Sequence, residues 1–258
     1  MCSIILCLET STKVCSVALG KNGKVIALKE SHDKQYTHSE NLTLYIEDVV
    51  KQAEIKLSDI DAVAVSKGPG SYTGLRIGVS TAKGLCYALN KPLIAVNTLQ
   101  SLLFSNKLSA CNSSDESVSY LHSNQYETIF CPMLDARRME VYYAVYDKNL
   151  NEIFPTSAEI VDEKFIERIF SMKEKSGKKL NIVFFGDGAD KCKTVFLNSP
   201  TYSNRKEIYF IEDIFPSAGF MIPLAEKSFL EKKFETLTCF EPFYLKDFIA
   251  KKSKDMIF

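Results

Sequence analysis

The chain has 258 residues, 46% of them hydrophobic, enough for one large domain or two compact lobes, and its 32 basic and 32 acidic side chains cancel. A dedicated nucleic-acid binder ordinarily carries a basic surplus, so any contact with RNA is expected to be local or shared with a partner. The 8 cysteines include no CxxC pair, and Cys7, Cys15, Cys86 and Cys131 sit in apolar runs. This reads as buried, reduced thiols of a cytoplasmic protein rather than metal ligands or disulfides.

The run Ile4 to Leu8 is cut short by Glu9, too short for a signal peptide, and no apolar run approaches a membrane span. It reads as a first strand. Val14 to Leu19 and Lys24 to Lys29 follow as strands two and three, joined by the hairpin signal Gly20-Lys21-Asn22-Gly23. Ser39 to Ala53 has the period of a helix, with Leu42, Ile46, Val49, Val50 and Ala53 on its apolar stripe and Ser39 as its expected cap. Strand 62–66 runs into Gly68-Pro69-Gly70, a tight turn that a β-carbon would obstruct, and a long helix then spans 72–89. Strand Leu93 to Val96 and a short helix from Asn97 or Thr98 complete the first half.

From Ser105 to about Thr128 the pattern fails, and the polar run 112–117 reads as a surface insertion. The second half then repeats the plan. Strand Ile129 to Leu134 ends in Asp135 as the first strand ends in Glu9; strand Val141 to Tyr146, a turn at 147–151 and Glu152-Ile153-Phe154 follow. Helix 162–172, strand Ile182 to Phe185, helix 188–197, strand Ile208 to Ile211 and helix 216–233 close the chain. Two stacked α/β lobes are expected, an N-terminal one over 1–104 and a C-terminal one over 105–258, with a cleft between them.

Helix 72–89 is unusual in carrying Gly74, Gly78 and Ala82 every fourth residue. Each helical glycine costs roughly 1 kcal/mol against alanine, so a close approach by another backbone is expected to compensate. Tyr72, Leu75, Val79 and Cys86 lie on a neighbouring face, and helix 39–53 offers Leu44 and Tyr45 beside its main stripe. Two readings stand side by side. Either the surplus face meets a related lobe of another protein about a pseudo-twofold axis, or all of it faces the lobe's own sheet.

The segments ILCLETSTKVCSVAL (5–19), GPGSYTGLRIGVSTAKGLCYAL (68–89), PLIAVNTLQSL (92–102), LDARRMEVYYAVY (134–146) and EPFYLKDF (241–248), with His38 opening the first helix, resemble the TsaB (YeaZ) family of tRNA-modification proteins. The resemblance implies an actin-like (ASKHA), duplicated RNase-H-like fold. It implies a non-catalytic partner of the TsaD transferase, in the complex that forms N6-threonylcarbamoyladenosine at position 37 of tRNAs reading codons that start with A. TsaD and the small ATPase TsaE are the implied partners, a homodimer is an alternative, tRNA is met only through the complex, and ATP or ADP belongs to the complex rather than to this chain. Carried onto these residues, the implied partner surface comprises His38, Leu42, Tyr45, Tyr72, Gly74, Leu75, Gly78, Val79 and Ala82.

The TsaD sisters carry a His-x-x-x-His metal motif and a distant Asp. The matching positions here are Thr98, Leu102 and, in a looser alignment, Ser217. The chain's histidines are His32, His38 and His122, none four residues from another, so a helical two-histidine metal site is not available, and neither catalytic residues nor a metal are assigned. Glu9, Thr10, Ser11 and Thr12 stand where actin-like ATPases place a phosphate loop, and Gly68 precedes a helix N-terminus that could cradle an anion. The plainer reading is a strand end entering a hairpin and a structural turn. Gly186-Asp187-Gly188-Ala189 resembles an adenosine loop but equally a simple strand-to-helix turn. Arg137 and Arg138 suit phosphate or a partner carboxylate, and Lys251, Lys252 and Lys254 suit RNA or solvent. Ser11 has no histidine in a triad arrangement. The rival function is an independent actin-like ATPase or small-molecule kinase using Glu9 or Asp135.

Overall fold

The computed structural model describes residues 3–31, 38–110, 126–171, 179–200 and 207–246. Strands β1 (Ile4–Glu9), β2 (Cys15–Lys21) and β3 (Lys24–Ser31) form an antiparallel meander, with Asn22 and Gly23 at positive φ in the turn. Helix α1 (His38–Gln52) leads to β4 (Ala62–Gly68), α2 (Tyr72–Leu89) and β5 (Leu93–Asn97), and both strands run parallel to β1. Short helices α3 (Thr98–Leu102) and α4 (Asn106–Ala110) follow. The second half supplies β6 (Tyr126–Asp135), β7 (Glu140–Asp147), β8 (Glu152–Ile160), α5 (Glu163–Ser171), β9 (Lys179–Phe185), α6 (Ala189–Asn198), β10 (Ile208–Ile211) and α7 (Ala218–Leu230).

The sheet orders are β3-β2-β1-β4-β5 and β10-β9-β6-β7-β8, so the second sheet reproduces the first strand for strand. In each, three antiparallel strands are followed by two parallel ones. This is the duplicated RNase-H-like plan of actin-like proteins, in two α/β lobes. The repeat expected from element order is therefore present as a repeat of pairing.

Alternation along the strands fixes the layers. Leu6, Leu8, Val17, Val63 and Val65 meet α1 and α2 on one face of the first sheet, through Leu42, Ile46, Val49, Val79, Ala82 and Cys86. On the opposite face Ile5, Cys7, Ala18, Ala62, Ala64 and Ile94 meet Ala218, Met221, Ile222 and Ala225 of α7. The small side chains let α7 lie close; a β-carbon on Gly20 would come within 2.5 Å of the Ile222 side chain. The second sheet carries α5 and α6 on one face and Leu99, Leu102 and Leu108 of α3 and α4 on the other. The division at residue 104 separates the strands of the two sheets, but α3 packs forward onto the second sheet and α7 packs back onto the first. After α7 a strap crosses from lobe to lobe. Glu235 N donates to Leu93 O at 2.8 Å, Phe243 N to Lys67 O at 2.7 Å and Lys246 Nζ to Ala136 O at 3.1 Å.

Element ends differ from expectation in places. Helix α1 begins at His38, so Ser39 lies in its first turn instead of capping it. The break at 105–128 contains α4 and the start of β6, and 111–125 lie outside the described residues, as do Lys251, Lys252 and Lys254. No described helix is long and apolar enough to cross a membrane. Cys7, Cys15, Cys86, Cys131 and Cys192 are buried free thiols, and Cys239 is free and exposed.

Candidate functional site

The end of β1 organises the first lobe. Glu9 is fully buried, and its Oε1 accepts from Ser11 N at 2.7 Å while Oε2 has no protein hydrogen bond. Burial pushes its carboxyl above the ordinary value, against the hydrogen bonds from Ser11, Ser66 and Thr10. Thr10 Oγ1 donates to Gly74 O at 2.8 Å, and Ser71 N, at the cap of α2, donates to Ser11 O at 2.6 Å. His38 Nε2, at the first residue of α1, lies 2.7 Å from Thr12 O. A carbonyl only accepts, so Nε2 carries the proton. Burial of the ring also lowers the His38 pKa and favours the neutral form. Three consecutive residues thus hold the first turns of both helices.

The glycine spacing now has its cause. A β-carbon on Gly70 would lie 2.4 Å from Ser11 O, one on Gly74 2.1 Å from Thr10 O, and one on Gly78 2.3 Å from Thr10 Oγ1. The stripe is the groove that receives the end of β1. Of the two readings of this helix, the internal one holds for Gly74, Gly78 and Ala82, and the assignment of these residues to a partner surface is corrected. The same applies to Leu42, Leu75, Val79 and His38, each at most 4% exposed. Tyr45 and Tyr72 stay half-buried. The outward faces are instead Thr43, Leu44 and Glu47 on α1 and Thr73, Arg76, Ser80, Gly84 and Tyr87 on α2, with Leu44 55% and Tyr87 84% exposed. Tyr87 went unread in the sequence, although it shares a stripe with Thr73, Arg76, Ser80 and Gly84, about 100° round the helix from Cys86.

The phosphate-loop reading of Glu9, Thr10, Ser11, Thr12 and Gly68 does not fit this geometry. Residues 9–12 are buried against the α2 N-terminus, where Ser71 N already donates to Ser11 O. Gly68 has φ +111, and a β-carbon there would lie 2.9 Å from Phe243 O of the strap, so its role is close packing. A candidate kinase carboxylate at Glu9 is enclosed in the same way. At the positions of the sisters' metal motif, Thr98 and Leu102 are buried at the start and end of α3, and Leu102 packs with Leu134 and Phe185. Ser217 caps α7 through Gly219 N, and its hydroxyl donates to Glu30 at 2.7 Å.

The second lobe builds an equivalent turn. Gly186 (φ +97) and Gly188 press against β6, where β-carbons would lie 2.1 Å from Met133 O and 2.7 Å from Leu134 C. Asp187 accepts from Asp135 N at 3.0 Å. Burial, aided by the Asp135 charge, pushes its carboxyl up to about 6. A cavity of about 290 Å³ opens here, lined by Gly186, Asp187, Asp190, Glu212, Asp213 and Phe215. Glu212 and Asp213 are paired with Lys193 and Lys107, which leaves Asp187 and Asp190 as the carboxylates a nucleotide's phosphates would face, so the adenosine-loop reading gains nothing from the cavity. Asp135 is exposed and paired with Lys191, which occupies the carboxylate that a phosphotransfer reading would need.

Comparison with known proteins agrees with the topology. The family described as "TsaD: tRNA N6-adenosine threonylcarbamoyltransferase" matches residues 29–254. The "tRNA threonylcarbamoyladenosine biosynthesis protein TsaB" of Escherichia coli (strain K12) is 30% identical over 251 residues, covering 96% of each chain. The "tRNA N6-adenosine threonylcarbamoyltransferase" of Bacillus subtilis (strain 168) is 38% identical over 119 residues, 40% of this chain and 34% of that one. The solved structure "YeaZ from Pseudomonas aeruginosa" superposes with a TM-score of 0.71 at 23% identity, over 94% of this chain and all of that one. With its two matching sheets and an end-to-end match to a TsaB relative, the chain belongs to the TsaB family, within the wider TsaD family whose description spans most of its length.

Proposed function

We propose that this protein is a non-catalytic partner subunit that supports a TsaD-type transferase in forming N6-threonylcarbamoyladenosine at position 37 of tRNAs reading codons that start with A. The observation that carries the reading is the match to a TsaB protein across 96% of both chains. The partial match to a TsaD protein, over 40% of this chain, supports a pairing in which related helices of the two subunits pack about a pseudo-twofold axis. In this chain α1 and α2, the adjacent helices on the outer face of the first sheet, carry the outward apolar side chains Leu44 and Tyr87. A TsaE-type ATPase joins the assembly and brings the ATP, in the cytoplasm where tRNA is modified. A homodimer through the same face competes with the transferase partner.

The test is reconstitution of threonylcarbamoyl transfer from threonylcarbamoyl-adenylate to tRNA, with cognate TsaD and TsaE, with and without this chain. Product that requires the chain, and none from the chain alone, is expected. Equal product without it would overturn the reading and favour the independent ATPase or kinase. Leu44→Glu and Tyr87→Glu, both on exposed positions, are expected to keep the fold and weaken TsaD co-purification at least about tenfold.

A further inference from the structure

Arginine usage singles out one surface. The described residues include four arginines, and Arg168 is ion-paired with Glu159. The other three, Arg76, Arg137 and Arg138, are exposed and have no ion pair with a described carboxylate. The strap brings them onto one ridge. Arg76 lies over the Tyr72 ring, 5.4 Å from its centroid, and Tyr72 meets Tyr244 of the strap at 4.7 Å between centroids. Two residues on, Lys246 lies over the Tyr142 ring at 5.6 Å and donates to Ala136 O, at the base of the β6–β7 turn that carries Arg137 and Arg138. Phe243 and Tyr244 are 40% and 37% exposed along the same path. The neighbouring carboxylates Asp135 and Glu140 are already neutralised by Lys191 and Lys246. The ridge therefore offers the exposed rings of Phe243 and Tyr244 beside three guanidinium groups without a carboxylate partner among the described residues, with Glu241 as the acidic side chain nearest Tyr244.

The turn adds an independent observation. Arg137 and Arg138 have φ of +67° and +50°, consecutive left-handed positions that glycine and asparagine occupy without strain. Folding alone favours Asn-Gly there. A backbone cost borne for two arginine side chains points to work done by those side chains outside the fold.

We propose that this ridge, running from Arg76 and Tyr72 at the N-terminal end of α2, about three to four turns from the partner-facing Tyr87, across Tyr244 to Arg137 and Arg138, is a direct contact surface for single-stranded RNA, and that it receives tRNA bases and phosphates beside the transferase partner. Stacking on tyrosine and arginine faces together with phosphate contacts is the chemistry by which proteins hold unpaired nucleotides. A protein partner would need a larger apolar centre than these rings supply. The proposal rests on the t6A reading, and it makes this chain one of the surfaces through which the complex meets tRNA.

The test uses the full chain in complex with its TsaD partner and a fluorescent anticodon stem-loop RNA. Arg137→Asn/Arg138→Gly removes both charges while suiting the left-handed backbone, so the fold is retained and its melting temperature rises. This variant is expected to bind the RNA at least about tenfold more weakly and to lower the log–log salt slope by roughly 1.4, from two lost phosphate contacts. The KM for tRNA rises with little change in kcat. Tyr244→Ala weakens binding at all salt concentrations, and Lys148→Glu, on a distant turn, changes nothing. Unchanged RNA affinity and KM in the arginine variant, while product still requires the wild-type chain, would overturn the ridge alone. Loss of TsaD co-purification in place of RNA affinity would also overturn it, by making the ridge a protein contact. A wild-type chain that binds RNA through these arginines yet is dispensable for transfer would instead overturn the proposed function.

Discussion

Thr10 shows how much one hydroxyl carries. It donates to Gly74 O inside the groove that Gly74 and Gly78 leave open. Thr10→Val keeps the shape and deletes the hydrogen bond, and it is expected to cost about 1 kcal/mol in urea unfolding, whereas Thr10→Ser restores most of that loss. Glu9 gives a pH signature of defined sign. Its folded pKa is raised by burial, so its favourable contribution is complete below the unfolded carboxylate value and is lost as pH rises through the folded value. Glu9→Gln, whose amide oxygen can still accept from Ser11 N, is therefore expected to be more stable than the native chain at pH 8 and to lose that advantage on acidification. Urea midpoints measured from pH 4 to pH 8 check this; a constant difference would show that the Glu9 carboxyl has the same pKa in the folded and unfolded states.

At the scale of the element, α2 contains the same residue type in opposite circumstances. Gly78 faces Thr10, and Gly84 has nothing within 4 Å of where a β-carbon would stand. Gly84→Ala is expected to raise stability by about 0.5–1 kcal/mol through helix propensity alone. Gly78→Ala is expected to lower it, and Gly78→Leu to abolish folding, because the strand end cannot move away without releasing both helix starts. Thermal melts of the three variants decide this. A folded Gly78→Leu protein with impaired TsaD binding would return the stripe to the partner surface. The helices themselves were readable, since α2 has the bounds its periodicity gives and Ser71 caps it through Gly74 N. The face each stripe meets was not, because small residues at every fourth position suit a close neighbour of any kind.

Across the whole molecule the lobes are interlocked by exchanged helices. The first sheet buries one face under α1 and α2, which follow it in sequence, and the other under α7, which lies more than a hundred residues later. A fragment of residues 1–104 would expose Ile5, Cys7, Ile94 and Val96 to water, and it is expected to lack a cooperative melt and to aggregate. In the intact chain Ile222→Ala, at a site 1% exposed, is expected to cost about 2–5 kcal/mol and to speed amide exchange in β1 and β4 of the first lobe, which is remote in sequence. Independent folding of the fragment would show that α7 only decorates the first lobe.

The sequence by itself determined the elements outside the 105–128 break, the duplication and the family. These follow from local periodicity, turn chemistry and long motifs, all written in neighbouring residues. It also carried the buried thiols, through their apolar surroundings. Tertiary structure decided which glycines admit the β1 end, why Glu9 to Thr12 form a staple in place of a phosphate loop, and which helix covers which sheet. It also brought Tyr244 to Tyr72 and Lys246 to the Arg137–Arg138 turn. The physical reason is the same in each case. Burial and hydrogen bonding between residues 60 to more than 200 positions apart depend on how layers stack, and no local pattern records which partner a stripe, a strand end or a strap will meet.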